Sequence, residues 1–538
     1  MRTPPKFLSQ CRILWEGDAV IIFWGTLLIG LLLWGGSTPV MARQVPLVIA
    51  HTTDLHGHVW GARDYDGTEN VGGLLRCATF IEEWRETHPN FLLVDAGDLY
   101  QGAIESYLTR GRIMNRALAW LGYDAWVLGN HEFDWGLGVL SGAVGESTVP
   151  VLAANIGSRP GRSNPLPSVQ PYVIRQIDGI RIALIGLTTD AIPTWSRPHL
   201  LGDVVVEDSV TALQRVLPQV RAERPDVMIL IAHQGYRPFG DSAANQINRI
   251  ARHFPEMDLI IGGHSHQPIE SATVNGILYT QSGYFGIWIG KVEMTFDTVQ
   301  RRVTERSATL TYVDEQVPQH EGLRTYLETE LRQAEQAASE VIGSLPEPLS
   351  HRSRTVGQSG IQQLLCSAIA HVTGADVVLH GTLVDESLAQ GDMLERDLRR
   401  IVPYENQIGI LQLTVGEIRE ILEQNADLIR SSQFMGVFGI QYELHEYAVA
   451  GERVRNVRWA DGTPIHPRRR IRVALNSYVL ASGGGRFPVV RRLADDPIHR
   501  LEMTGLDTRG IVRRYLGDPN FAIAGSGDDL VERIRHPR

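Results

Sequence analysis

With 538 residues the chain is longer than one hydrophobic core usually supports, so two domains and a tail are expected. A hydrophobic fraction of 43% and a charged fraction of 21% are those of a soluble globular protein. A formal net charge of -10 argues against a nucleic-acid polymer as partner, which needs a basic face, but leaves room for a small phosphorylated ligand held by metal ions.

The chain opens on a targeting pattern. Arg2, Lys6 and Arg12 precede an apolar run from Ala19 to Trp34, and Val40-Met41-Ala42 follows as a small-residue cleavage site. The run is shorter than the roughly 20 residues of a spanning helix, so a cleaved export signal over residues 1–43 is expected, with an uncleaved anchor as the alternative. Either places the protein outside the cytoplasm, as a periplasmic, secreted or membrane-tethered protein that meets the membrane only through this segment. Cys11 lies in the signal, and the spacing of Cys77 and Cys366 predicts two buried free thiols.

From about Gln44 to Gln316, apolar strand-like runs alternate with helical patterns, which reads as a layered α/β domain. Helical periodicity covers Gly72 to Glu86 and Ile104 to Leu121; Ser209 is the expected N-cap of a helix running to Ala222, and Ser242 starts another ending near His253. Pro318 to Glu340 reads as one helix with a charged outer face, ended by Pro346 and Pro348. The expected division is a catalytic domain over 44–317, a linker helix and hinge over 318–348, a second domain over 349–517 and a tail over 518–538. In the second domain, Gln358 to Val372 and Val415 to Ile429 read as helices, and Asp376 to Leu379 and Ile471 to Leu475 as strands.

The chemistry gathers where apolar runs end. Val45 to Ala50 leads into Asp54 and His56; Phe91 to Val94 into Asp98; Trp126 to Leu128 into Asn130, His131 and Asp134; Val227 to Ala232 into His233; Leu259 to Ile261 into His264 and His266. Open α/β sheets keep their chemistry at strand carboxyl ends. Asp54, His56, Asp98, Asn130, His233, His264 and His266 are enough donors for two metal ions and too many for one.

Asp54-x-His56, Gly97-Asp98, Gly129-Asn130-His131-Glu132, His233 and Gly263-His264-Ser265-His266 resemble the ordered signature of the calcineurin-like metallophosphoesterases. Within it, His51-Thr52-Thr53-Asp54-Leu55-His56-Gly57 and Gly129 to Asp134 are similar to the exported bacterial 5'-nucleotidase branch. The resemblance implies an α/β fold: an N-terminal layered β-sandwich metallophosphoesterase domain with flanking helices, plus a smaller C-terminal α/β nucleotidase-type domain. It implies one ion held by Asp54, His56, Asp98 and His266, and a second held by Asp98, Asn130, His233 and His264, with Asp98 bridging. A carboxylate suits that role, since it spans dications about 3.5 to 4 Å apart. The implied nucleophile is metal-bound hydroxide attacking phosphorus in line. His131 is implied to stabilise the transition state or protonate the leaving oxygen, with Asp134 fixing its ring. The mixed ligand set suits zinc, manganese, cobalt or iron. His58 and Asn155 are read as supporting the site rather than ligating.

In the same branch the C-terminal domain clamps a nucleoside base between two aromatic rings. Pro403-Tyr404-Glu405-Asn406, Gln433-Phe434 and Asn476-Ser477-Tyr478 fall in the corresponding order, and Phe434 and Tyr478 are the candidate stacking pair. Two segments depart from the family. Asp385 stands where an anion-binding Arg is usual, and Gly485-Arg486 replaces an acid followed by glycine, so Arg486 is the candidate for restoring positive charge.

The expected function is a dinuclear metal-dependent phosphoester hydrolase releasing phosphate from a small phosphorylated substrate, foremost a nucleotide. One alternative keeps the metal centre and changes the substrate to cyclic nucleotides, nucleotide sugars or a non-nucleotide phosphoester. The non-enzyme alternative is an exported binding or scaffold protein that retains the fold.

Overall fold

The computed structural model describes residues 43–352, 357–431, 433–518 and 531–534. The expected export signal with Cys11, and most of the expected tail, lie outside these residues. No helix among the described residues is long and apolar enough to cross a membrane.

Two sheets face one another in the first domain. One has seven strands, in the spatial order 302–312, 288–297, 44–52, 91–95, 125–127, 151–152 and 169–170; the other has six, in the order 268–274, 277–282, 259–262, 227–232, 180–187 and 172–177. The central strands of both are parallel. Period-two alternation explains the layering. Val45, Leu47, Ile49, Leu92 and Val94 point between the sheets to meet Ile182, Leu184, Ile229 and Ile231, while Leu93 and Leu230 point outward under helices. Helices Leu74–Thr87 and Arg112–Leu121 cover one outer face, and Ser209–Ala222 and Ile247–His253 the other. The domain is therefore the layered β-sandwich with flanking helices that the resemblance implied.

The second domain is built on a five-stranded mixed sheet, ordered 436–438, 377–380, 471–476, 407–413 and 502–507. Apolar cores fill both its faces, one under helix Val415–Asn425 and the other under helices Gly360–Thr373 and Thr508–Leu516.

Several elements differ from expectation. Ile104 to Leu121 is two helices, Ile104–Thr109 and Arg112–Leu121, interrupted where Arg110 and Gly111 turn left-handed. Gly111 is required there, because a Cβ would sit 2.7 Å from the Tyr100 ring. Pro318 to Glu340 also divides, into Glu321–Tyr326 and Glu328–Ala338, and ends before the prolines; Val341–Leu345 then forms a strand paired with Gly391–Leu394. Asp208, not Ser209, caps its helix by accepting from Thr211 N. The Ser242 helix starts only at Ile247. Cys77 and Cys366 are buried free thiols.

Candidate metal centre

Every predicted ligand in the first domain lies at the carboxyl end of its strand, and five of them bend the chain sharply. Asp54, His56, Asp98, His264 and His266 all have φ between 46° and 71°. This left-handed region costs a side-chain-bearing residue about 1 kcal/mol or more, so it persists only where the surrounding structure enforces it. The bends turn side chains from both sheets into one cleft. Asp54, His56 and His266 form one group of potential ligand atoms, all within 4.8 Å of one another, and Asp98, His233 and His264 form a second. Asp98 Oδ2 reaches toward both, lying 3.1 Å from His233 Nε2 and 3.8 Å from His56 Nε2.

The hydrogen bonds behind the ligands aim bare nitrogens into the cleft. His56 Nδ1 donates to Gln101 O at 2.7 Å and His233 Nδ1 to Ala96 O at 2.8 Å. A carbonyl can only accept, so one proton stays on Nδ1 and Nε2 is the atom each ring presents to the cleft. His56 Nε2 and His266 Nε2 lie 3.0 Å apart. Asn130 Oδ1 is buried without a hydrogen-bond partner, and so is His233 Nε2 apart from its approach to Asp98. Converging lone pairs with an orphaned buried carbonyl oxygen are what a cation would satisfy, so the residues present fit divalent metal ions.

The charges follow from burial and proximity. Burial lowers His56 and His264 to about 3, which keeps them neutral. Burial would also lower His233, but the Asp98 and Asp54 carboxylates outweigh it and raise the ring to about 10; a bound dication would take that proton's place. Asp98 is held well below the usual carboxylate range: burial would raise it, but the charged rings of His233 and His131 prevail.

His131 stands beside the ligands rather than among them. Its backbone N donates to Asp98 Oδ1 at 2.8 Å, and its Nδ1 bonds Asp134 Oδ2 at 2.6 Å. Against the lowering effect of burial, Asp134 and Asp98 raise it to about 9, so the ring carries a proton. His58 is packed on Phe285 with ring centroids 4.3 Å apart, and Asn155 bonds Thr188 and the Glu207 carbonyl; both support the framework.

Glu132 was visible in the motif but unassigned by sequence reasoning. Its buried carboxylate accepts four backbone N–H groups: Leu99 at 2.7 Å and Tyr100 at 3.0 Å on one oxygen, Gly129 at 2.6 Å and Asp98 at 3.2 Å on the other. It ties the Asp98 loop to the Asn130 loop. Burial first, then the Asp98 charge, push its carboxyl up to about 7, while His233 and the N–H donors oppose them. A dication at Asp98 would remove the second cause.

The second domain docks onto this cleft at two places. Tyr404 stacks on His131, with centroids 5.1 Å apart and planes 13° from parallel, and Glu405 accepts from Trp135 Nε1. Ser482 Oγ donates to Thr194 O at 3.0 Å, Arg491 donates to Pro193 O at 2.7 Å, and buried Arg197 pairs with Asp495 at 2.8 Å. Trp195, between these contacts, lies 5.0 Å from the His264 ring.

The aromatic pair expected from sequence is corrected in one member. Phe434 is 4% exposed and packed in the second domain's core, so it presents no face to a ligand. Tyr478 is half-buried, its hydroxyl bonded to Arg486, whose guanidinium stands 5.7 Å from the ring centroid. Tyr404, Tyr65 and Trp195 were not singled out, since nothing local in the sequence shows that they approach the ligands.

Comparisons with known proteins agree with this geometry. A family model described as calcineurin-like phosphoesterase matches residues 47–268, and one described as 5'-nucleotidase, C-terminal domain, matches residues 340–492. The chain is 26% identical to the trifunctional nucleotide phosphoesterase protein YfkN of Bacillus subtilis, covering 91% of this chain but only 40% of that longer protein. It is 25% identical to protein UshA of Yersinia enterocolitica, over 88% of this chain and 91% of the relative. A crystal structure of a putative 5'-nucleotidase from Staphylococcus aureus shares the fold with a TM-score of 0.78 at 20% identity, covering 91% of this chain and 99% of the other. The chain belongs to the calcineurin-like phosphoesterases, in the two-domain form that carries a 5'-nucleotidase C-terminal domain.

Proposed function

We propose that the protein is a dinuclear metal-dependent phosphohydrolase acting on nucleotides, with residues 44–317 carrying the chemistry and 349–517 recognising the substrate. The observation that carries this reading is the pair of adjoining ligand groups with Asp98 Oδ2 between them. In it, Asp54, His56, Asp98 and His266 hold one divalent ion and Asp98, Asn130, His233 and His264 the other. Such a pair supplies Lewis acidity and draws in an anionic phosphate. The chain's own residues do the rest. Asp134 holds the His131 ring and its Nδ1 proton, leaving Nε2 to serve the phosphoryl oxygens or the leaving group. Glu132 keeps the two ligand loops in register. Tyr404 and Tyr478, with Arg486, replace the expected Phe434 pair as the polar and aromatic groups offered by the second domain.

The names of the relatives, a nucleotide phosphoesterase and a 5'-nucleotidase among them, support a nucleotide substrate. Asp385 is exposed and adds negative charge where the family resemblance implies an anion-binding Arg, which favours a second reading with a less anionic phosphoester. We also propose that residues 1–43 direct export.

The test is to offer an aryl phosphate to protein loaded with zinc, manganese or cobalt, then rank nucleoside monophosphates, cyclic nucleotides and sugar nucleotides by kcat/KM. Turnover of the aryl ester is expected, and silence with all three metals would favour a binding protein. Asp98→Ala should abolish activity and lower bound metal. His131→Ala should keep both ions and lose most of the rate; loss of ions and rate together refutes its assigned role.

A further inference from the structure

The His131 ring is held at its edge by one domain and covered on its face by the other. Asp134 bonds its Nδ1 at 2.6 Å, which fixes one ring atom, and the backbone N is tied to Asp98. One hydrogen bond at the edge still lets the imidazole plane tilt, because the torsion that turns a planar ring is broad. The rings around it set the plane. His56 stands at 70° to it, with centroids 5.1 Å apart, and Tyr404 lies almost parallel to it, at 13° and the same separation. An offset parallel pair at this distance is a favoured arrangement of aromatic rings.

Tyr404 can act as such a stop only if it is itself held, and the chain on both sides of it is tied down. Arg509 donates to the carbonyl of Val402 at 2.7 Å and to that of Pro403; Glu405 accepts from Trp135 Nε1; Thr508 N donates to Asn406 O at 3.1 Å. Arg509 is buried, and its guanidinium stands 5.9 Å from the ring of Tyr107 in the first domain. Trp135 follows Asp134 directly, so its bond to Glu405 and the stack of His131 on Tyr404 hold each other in register. Neither contact uses the phenol hydroxyl.

We infer that Tyr404 is a positioning residue for His131: the second domain lays an aromatic ring on the imidazole, fixes its plane, and so completes a reaction centre that the first domain builds only in part. The inference deepens the phosphohydrolase reading above and rests on it, because Tyr404 acts only through the role assigned to His131. One face of Tyr404 is occupied in this way, which leaves the other as the face it can offer to a substrate.

The test uses the full-length, zinc-loaded chain as wild type, Tyr404→Phe, Tyr404→Leu and Tyr404→Met, with glycerol phosphate as an ester that has no ring to stack. A ring packed parallel on His131 shifts its carbon-bound protons, so the histidine-labelled chain is read by NMR, with His131→Ala identifying the signal. Tyr404→Phe should keep the wild-type shift, and the Leu and Met variants should lose it. On glycerol phosphate, both ring-free variants should lose kcat roughly tenfold, near the upper end of what an aromatic pair is worth, with KM and both bound zinc ions unchanged. Tyr404→Phe should retain wild-type kcat. In a His131→Ala background, Tyr404→Leu should cost nothing further, since it acts through the missing ring. An unaltered His131 signal or kcat in the ring-free variants, an effect on KM in place of kcat, a Phe variant as slow as the Leu one, or a loss that persists without His131 would each overturn the inference. A wild-type chain that turns over no phosphoester overturns instead the function on which it rests.

Discussion

Replacing Glu132 by Gln tests whether one carboxylate holds the two ligand loops together. In the native site, Leu99 and Tyr100 share one oxygen, and Gly129 and Asp98 share the other. An amide offers one accepting oxygen and one NH2, so in either orientation two backbone N–H groups lose their acceptor and face a donor instead. At about 1.5 to 3 kcal/mol for each hydrogen bond to a charged acceptor, the loss comes to about 3 to 6 kcal/mol. That is a large share of the roughly 5 to 15 kcal/mol that holds a domain folded. Because the affected N–H groups flank Asp98 and Asn130, the cost should also appear in metal binding. Urea unfolding under chelation at about pH 9, where the carboxyl pushed up to about 7 is ionised, followed by tryptophan fluorescence, reads the first effect, and equilibrium dialysis with Mn2+ reads the second. A stability change below about 1 kcal/mol, or a large one with unaltered Mn2+ affinity, would refute the reasoning.

Four further outcomes are expected. Phe434→Ala should cost about 3 to 5 kcal/mol in denaturant unfolding, the range for emptying a buried aromatic site, without altering KM for an aryl phosphate. Gly484→Val should hold the domains apart, since φ there is 68° and a Cβ would lie 2.6 Å from Trp195 Nε1; small-angle scattering should report a larger radius of gyration and kinetics a raised KM for nucleotides. Asp208 is lowered to about 2, chiefly by its bond to Arg249. A depressed carboxylate stabilises above its unfolded value and loses that effect as pH falls through the folded one. The deficit of Asp208→Ala, about 1 kcal/mol for a lost cap, should therefore be full at pH 7 and shrink between about pH 4 and 2 in pH-dependent melts. Finally, saturating Mn2+ at about a hundred times its dissociation constant should add about 2.7 kcal/mol of stability, reversed by chelation.

The cluster of candidate ligands was legible because each of them follows an apolar run, and a buried parallel strand can deliver a polar residue only at its end. What the runs did not reveal was the backbone bend at five of those ligands: Asp and His enter the left-handed region more readily than most residues, but most Asp and His among the described residues do not, and the runs do not single these out. Helix periodicity located Ile104 to Leu121 but passed over Arg110-Gly111, because a two-residue interruption barely disturbs the apolar stripe. Ser209 and Asp208 are equally good caps by chemistry, and only the hydrogen bond to Thr211 separates them. Phe434 was misjudged for a related reason: it precedes the short strand Gly436–Phe438, and a loop residue has no period to tell inside from outside. Tyr404 stood in a recognised motif, yet its partner His131 is 273 positions away by numbering, and only docking brings them together.

The five left-handed ligands leave this centre little freedom to drift. Glycine would relax the chain at any of them but forfeit the donor atom, and valine or isoleucine would keep neither the donor nor the bend. Each such site thus needs a particular side chain on a backbone that disfavours it, so single substitutions there have almost no tolerated neighbours.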